Sequence, residues 1–196
     1  MLSGKNIYLL KWDCDLERMA QEWAQSCPLP YARSRRVPRG SQLIKRINFN
    51  LHGKNVTQHI DNSMRSWWLE YRTRGNLDVE NRYFNRQDYY GWANMAKGKT
   101  TRLGCSYMVC GDKAIFTCVY NNKVNIEKRK IYESGRPCSS DRDCTTYPSS
   151  RCIPELGLCQ APDVPKDRTS NNMCGGVASS MTDYSRQFSL DVHNFY

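Results

Sequence analysis

The sequence predicts a mixed α+β domain carrying a small cysteine-rich appendage. Two stretches with helical apolar spacing lie in the first half. Two strand-like runs joined by a tight turn follow over 100–120, and four cysteines crowd into 132–159. Helices grouped before strands point to α+β rather than to alternating βαβ units. The 196 residues suffice for one domain of ordinary size with an appendage.

The chain opens with an extended lead-in over 1–13, in which Ile7, Leu9 and Leu10 supply apolar contacts. Leu16, Met19, Ala20, Trp23 and Cys27 then recur on one helical face, with Asp15 as a cap or first-turn acid. Pro28 and Pro30 end that helix. Residues 31–55 read as irregular and basic, with Arg33, Arg35, Arg36, Arg39, Lys45 and Arg46. A second amphipathic helix runs from Val56 to Tyr71 through Ile60, Met64, Trp67 and Trp68. A polar loop around Gly75 and a short aromatic helix over Tyr89–Lys97 lead to the strands Thr100–Val109 and Lys113–Tyr120. The Cys110-Gly111-Asp112 turn makes these a hairpin, which a Cys110–Cys118 bond has the reach to staple.

Ten cysteines, clustered without a CxxC pair, argue for disulfides and an oxidising, extracellular setting rather than zinc. The segment 132–159 holds Cys138, Cys144, Cys152 and Cys159 and is too short to bury a core of its own, so two disulfides should hold it. Residues 160–173 are linker-like, and beyond them Tyr184, Phe188, Val192 and Phe195 share a helical face. Met1–Asp13 contains Lys5, Lys11, Trp12 and Asp13 and is not a signal peptide. The expectation is that a signal was removed or that the chain is a segment of a longer protein. No stretch approaches the ~20 apolar residues of a membrane span.

The net charge of +10 favours acidic partners: a polysaccharide, an anionic lipid or an acidic protein face. Nucleic acid is not expected for a disulfide-rich extracellular chain. Asn55-Val56-Thr57 fits the acceptor pattern for N-glycosylation. His52, His59 and His193 are the only histidines; none is spaced as a ligand pair, and each is expected at a surface or helix end. Hydrolase chemistry would need a base beside a nucleophile, and no such motif is present. Gly98-Lys99-Thr100 resembles the end of a phosphate-cradling loop, but Ala93 stands where its first glycine belongs and a strand follows. The chain therefore reads as a non-enzyme.

The run Lys99-Thr100-Thr101-Arg102-Leu103-Gly104-Cys105, the Cys118-Val119-Tyr120 strand end and Ile131-Tyr132-Glu133-Ser134-Gly135-x-Pro137-Cys138 carry a resemblance. So do Trp12-Asp13-Cys14-x-Leu16-Glu17-x-x-Ala20-Gln21-x-Trp23-Ala24-x-x-Cys27 and Ser66-Trp67-Trp68-x-Glu70. Together they resemble the cysteine-rich secretory, antigen-five and pathogenesis-related superfamily, in particular its nematode venom-allergen-like and Ancylostoma-secreted members. The resemblance implies a three-layer α-β-α sandwich over 1–131 and a hinge-like cysteine-rich extension over 132–159. It also implies that the domain's usual opening helix is missing from its start. Residues 174–196, with Leu190-Asp191-Val192-His193-Asn194, look like that opening segment, as if a following domain began there. Alternatively the tail folds back as the missing layer, and Cys174 then pairs with Cys14. The resemblance further implies Cys27–Cys105, Cys110–Cys118 and two bonds within 138–159.

The family's cleft holds two histidines and two acids able to bind a divalent metal. Position by position these fall on Tyr31, Ser41, Glu70 and Gly91, so only Glu70 is kept, and neither metal nor cofactor is expected. The implied function is a secreted nematode protein that binds a host extracellular or cell-surface protein, with Arg33, Arg35, Arg36 and Arg39 on the contact loop. A lipid or sterol carrier, and a spacer domain in a tandem protein, are the alternatives.

Overall fold

The computed structural model describes residues 3–28, 40–73, 78–85, 88–123, 127–163 and Cys174. Its centre is a four-stranded sheet ordered β2-β4-β5-β3. Here β2 is Lys11–Trp12, β3 Ser41–Asn48, β4 Arg102–Cys110 and β5 Lys113–Tyr120; β1, Gly4–Lys5, belongs to the extension. β4 and β5 form the expected hairpin, with Gly111 at φ 65° in its turn. That left-handed conformation is one a glycine adopts without steric cost. β3 lies antiparallel to β5 from Ser41 opposite Tyr120 to Asn48 opposite Lys113.

β3 corrects the expectation of an irregular segment over 31–55. Its core-facing residues Leu43 and Ile47 are separated by Lys45, whose Nζ donates to Ser66 Oγ at 3.1 Å. A lysine inside the apolar alternation hides a strand from sequence patterning. Lys45 and Arg46 are thus strand residues, and Arg46 donates to the Pro28 carbonyl.

α1, Cys14–Gln25, packs on one face of the sheet. Its cap is Asp13, whose carboxylate accepts from the Asp15 and Leu16 amides, and Asp15 is a first-turn acid. The fit is close: a Cβ on Gly104 would lie 2.0 Å from the Glu17 nitrogen. Ala20 and Ala24 are fully buried on the same helix.

On the opposite face lie α2 (Phe49–His52), α3 (Val56–Trp68), α4 (Glu70–Thr73) and α5 (Tyr90–Met95). They bury an aromatic core with Leu43, Phe116, Cys118 and Tyr120 of the sheet, and Trp67 stacks on Phe116 at 5.6 Å between ring centroids. The expected helix over 56–71 is broken at Leu69, which caps α3 before α4 begins. The result is the three-layer α-β-α sandwich.

The disulfides correct two implied pairings. Cys105 bonds Cys118, directly opposite it in the hairpin, and Cys27 bonds Cys110. In the pleat, Cys110 shares its face with Gly104 and therefore with α1, whereas Cys118 points into the aromatic core. A Cys110–Cys118 bond would have to cross the sheet. Cys105 is barred from Cys27 for the same reason.

The extension has its two internal bonds, Cys138–Cys152 and Cys144–Cys159. Its remaining structure is a 3₁₀ turn at Asp141–Asp143 and the strand pairs β1 with β6 (Glu133–Ser134) and β7 (Arg151–Ile153) with β8 (Leu158–Gln160). Tyr8 of the lead-in is buried among Cys138, Cys144 and Cys159, and its ring meets Tyr147 edge-on at 5.0 Å. The lead-in thus supplies an edge strand to the extension and a parallel strand to the sandwich. Cys14 bonds Cys174 across 160 residues. The helix expected beyond Cys174 lies outside the described residues.

Candidate functional site

The cleft is built where α4, α5 and the ends of β3 and β5 meet. α4 begins with Glu70, and α5 brings Gly91, Trp92 and Asn94 toward it. Glu70 Oε2 accepts a hydrogen bond from the Trp92 amide at 3.1 Å. A Cβ on Gly91 would sit 2.7 Å from both Glu70 carboxylate oxygens. The carboxylate therefore lies directly against the glycine, in the space an imidazole on residue 91 would take. Gly91 and Glu70 thus form one arrangement, with the carboxylate filling the space beside the glycine.

Ser41, at the start of β3, completes the group. Its hydroxyl is hydrogen-bonded to Asn94 Oδ1 and lies 2.8 Å from the Asn122 carbonyl. One proton serves these two acceptors, so it donates to one at a time. Asn94 Nδ2 donates to the Tyr90 carbonyl at 2.7 Å. Asn94 is 1% exposed. Its amide ties α5 to β3, a role visible in the sequence only as a replaced glutamine.

These residues do not fit a divalent metal. Glu70 is held by a backbone amide, Ser41 and Asn94 engage each other, and Gly91 offers no ligand. Tyr31, the fourth position, lies outside the described residues, as do Arg33, Arg35, Arg36 and Arg39. Two cysteine-containing groups have spacing suited to an ion, Cys138 with Cys144 and Cys152, and Cys14 with Glu17 and Cys174. Their sulfurs are committed to disulfides and are not thiolates.

His59 keeps the expected place at a helix end, in the first turn of α3, but it is not on the surface. It is 2% exposed, and its ring lies between Phe49 and Tyr107 at 5.8 and 6.0 Å. Nδ1 contacts the Tyr107 hydroxyl at 2.7 Å and Nε2 the His52 carbonyl at 3.3 Å. Only a ring N–H can bond the carbonyl, so Nε2 carries the proton and Nδ1 accepts from Tyr107. This is a structural histidine pinning α2 to α3. His52 itself is exposed, and His193 lies outside the described residues.

Asn55 is exposed and caps α3: its Oδ1 accepts from the Gln58 amide at 3.0 Å. The cap uses only the carbonyl oxygen, leaving Nδ2 facing solvent. Sequence patterning also missed Lys97, which is 9% exposed and donates from Nζ to the Lys130 carbonyl at 2.7 Å. Burial, with the neighbouring Lys99 and Arg129 charges, lowers its pKa to about 8. Nothing in the local sequence separates it from a surface lysine, because its burial comes from the distant 128–131 segment.

The family model of the cysteine-rich secretory proteins (CAP) matches residues 3–120. The Ancylostoma secreted protein of Ancylostoma caninum is 35% identical over 192 residues, which are 97% of this chain and 43% of that protein. Hookworm platelet inhibitor 1, also of Ancylostoma caninum, is 28% identical over 138 residues, covering 69% of this chain and 60% of its own. The chain thus spans less than two thirds of the length of these curated relatives. Among solved structures, the crystal structure of Na-ASP-1 matches with TM-score 0.74 and 31% identity, over 87% of this chain and 41% of its own. The matched span includes α1, the hairpin and all four cleft positions, and on it the chain belongs to the cysteine-rich secretory protein family.

Proposed function

We propose that this chain is the body of a secreted, non-enzymatic nematode protein that binds a host extracellular or cell-surface protein. The observation that carries the reading is the Glu70 carboxylate seated against Gly91. Among the described cleft residues it leaves no free metal-ligand set or poised acid–base pair, which favours a role for the surface. The likeness to a relative whose name describes a platelet inhibitor supports a host partner. No helix among the described residues is long and apolar enough to cross a membrane, which agrees with a secreted chain. The contact falls to the basic loop carrying Arg33, Arg35, Arg36 and Arg39. The test is surface capture of host plasma and platelet-membrane proteins by the immobilised chain and by a variant with these four arginines changed to alanine. A saturable partner lost in the variant is expected. Equal capture by both, or no saturable partner, overturns the reading.

Secretion predicts a glycan on Asn55, since an amide glycosylated at Nδ2 keeps the carbonyl that caps α3. Expressed in a eukaryotic secretory host, the protein should lose mass on enzymatic deglycosylation. Thr57→Ala should abolish that loss and leave the cap intact. An unchanged mass in the parent chain counts against it.

A further inference from the structure

Several charged groups of the described surface are paired: Asp15 with Arg18, Asp61 with Arg65, Asp78 with Arg82, Asp13 with Arg102 and Lys11 with Asp163. A basic cluster on the same surface is not. Lys97, Lys99 and Arg129 lie close enough for the last two charges to act on the first, and none of the three forms an ion pair among the described residues. Lys97 has three N–H donors and a single protein acceptor, the Lys130 carbonyl. Lys99 and Arg129 are exposed.

The cluster is held by backbone. Gly98 N–H donates to the Ile131 carbonyl at 2.9 Å, and Tyr83 N–H to the Arg129 carbonyl at 2.8 Å. The Lys99 carbonyl accepts from the Tyr147 hydroxyl and from Asn122 Nδ2. Lys128 stands at φ 61° in the turn before Arg129. Glu127, the carboxylate nearest in sequence to Arg129, accepts from the Asn85 amide. The backbone that carries the three cations and the buried Lys97 ammonium are thus fixed, and no ion pair among the described residues offsets the three charges. Such an arrangement carries an electrostatic cost that a bound anion removes.

We propose that Lys97, Lys99 and Arg129 form a binding site for sulfate groups of an extracellular sulfated polysaccharide. A guanidinium and ammonium groups at set positions suit oxyanions carried at regular spacing on a stiff chain. An anionic membrane suits this surface less well. Exposed Val79, the large apolar side chain on the neighbouring 78–83 segment, sits between Asp78 and Glu80, which would repel it. The site uses none of the four loop arginines and does not rest on the host-protein reading.

The test measures binding of a heparin-derived octasaccharide, its desulfated counterpart, free inorganic sulfate and phosphatidylserine vesicles to the purified chain at two salt concentrations. The sulfated octasaccharide should bind, weaken with salt and lose about tenfold or more in affinity in Lys99→Ala/Arg129→Ala. Both positions are exposed, and an unchanged melting temperature shows that the variant folds. The four-arginine loop variant should keep binding at this site. The proposal is overturned if the double variant binds as well as the parent, if the desulfated sugar binds equally, if vesicles bind in preference, or if no binding is seen at low salt. Saturation by free sulfate with no gain from the octasaccharide would make it a single-ion site and overturn the polysaccharide.

Discussion

The two faces of the central sheet solve the same packing problem in different ways. On one face α1 approaches until its backbone touches Gly104, and small residues, Ala20 and Ala24, make the contact. Disulfides hold it from both ends, through Cys14 and through Cys27 just beyond its last turn. On the other face large rings fill the space: Trp67 over Phe116, Trp92 against Tyr71, Tyr89 and Tyr132. This second face keeps Ser41 and Asn94 buried beside the half-buried Glu70, while the first buries Glu17, Ser106 and Thr117. The described polar groups of this layer bond to one another and to backbone, which is the cheaper state for a buried polar group.

The sharpest way to break this contrast is Gly104→Val. Its side chain would meet the backbone of Glu17, Leu16 and Asp13 rather than a side chain able to move. Overpacking costs roughly 1–3 kcal/mol where side chains can yield and more where they cannot. Denaturant unfolding should show a loss above about 3 kcal/mol, or no folded protein at all. A variant within about 1 kcal/mol of the parent would mean that α1 is free to shift along the sheet.

Gly91→Ala probes the other face and should cost less, about 1–3 kcal/mol, because its Cβ meets a side chain. The obstructing atoms are those of the Glu70 carboxylate, so the effect is coupled. In Glu70→Ala the space opens, and adding Gly91→Ala should then cost only a fraction of its value in the parent. A double-mutant cycle by denaturant unfolding reads this directly. Additive costs would show that Glu70 does not occupy the glycine's space.

The edge of the aromatic face also makes a pH prediction. Lys97 has a folded pKa of about 8, against 10.5 unfolded, with burial the largest cause. Between those values the unfolded chain binds the extra proton, so the Lys97 contribution to stability rises with pH from about 8 upward. Below about 8 both states are protonated and its penalty is constant. Chemical denaturation at pH 7.5, 8.5 and 9.5 should show that rise in the parent and a flatter profile in Lys97→Met. Identical profiles would place the ammonium in water.

How far the sequence reveals these faces depends on the range of the contacts that make them. α1, α3 and the β4–β5 hairpin follow from local periodicity, and β5 matches its expected bounds of Lys113–Tyr120. β3 escapes because Lys45 interrupts its alternation, and Lys45 is tolerated only because Ser66, on another element, meets it. The disulfide pairing depends on which face of the sheet each cysteine occupies, and two cysteines in one hairpin, Cys110 and Cys118, turn out to be on opposite sides. In the cleft, the absence of histidine at 91 is plain in the sequence, but the seating of Glu70 against Gly91 is not. That requires α4 to meet α5, a contact between residues 22 apart whose geometry no local pattern encodes.

Among the described residues, the Trp92 Nε1–H and the Tyr120 hydroxyl of the aromatic face are buried without a protein hydrogen-bond partner. Tyr120 lies opposite Ser41 in the sheet and is fully buried, which pushes its pKa above the ordinary tyrosine range. If the hydroxyl is dry, it stands as a desolvated group with nothing gained in return, and Tyr120→Phe removes it without changing the ring's packing. The variant should then match or exceed the parent, by up to about 1 kcal/mol in denaturant unfolding. A loss of about 1 kcal/mol or more would instead mean that a water or a small polar ligand bonds the hydroxyl in the folded protein. The cleft beside Ser41 would then retain a binding position despite the loss of its metal ligands, and the contrast between the two faces would be one of occupancy as well as of packing.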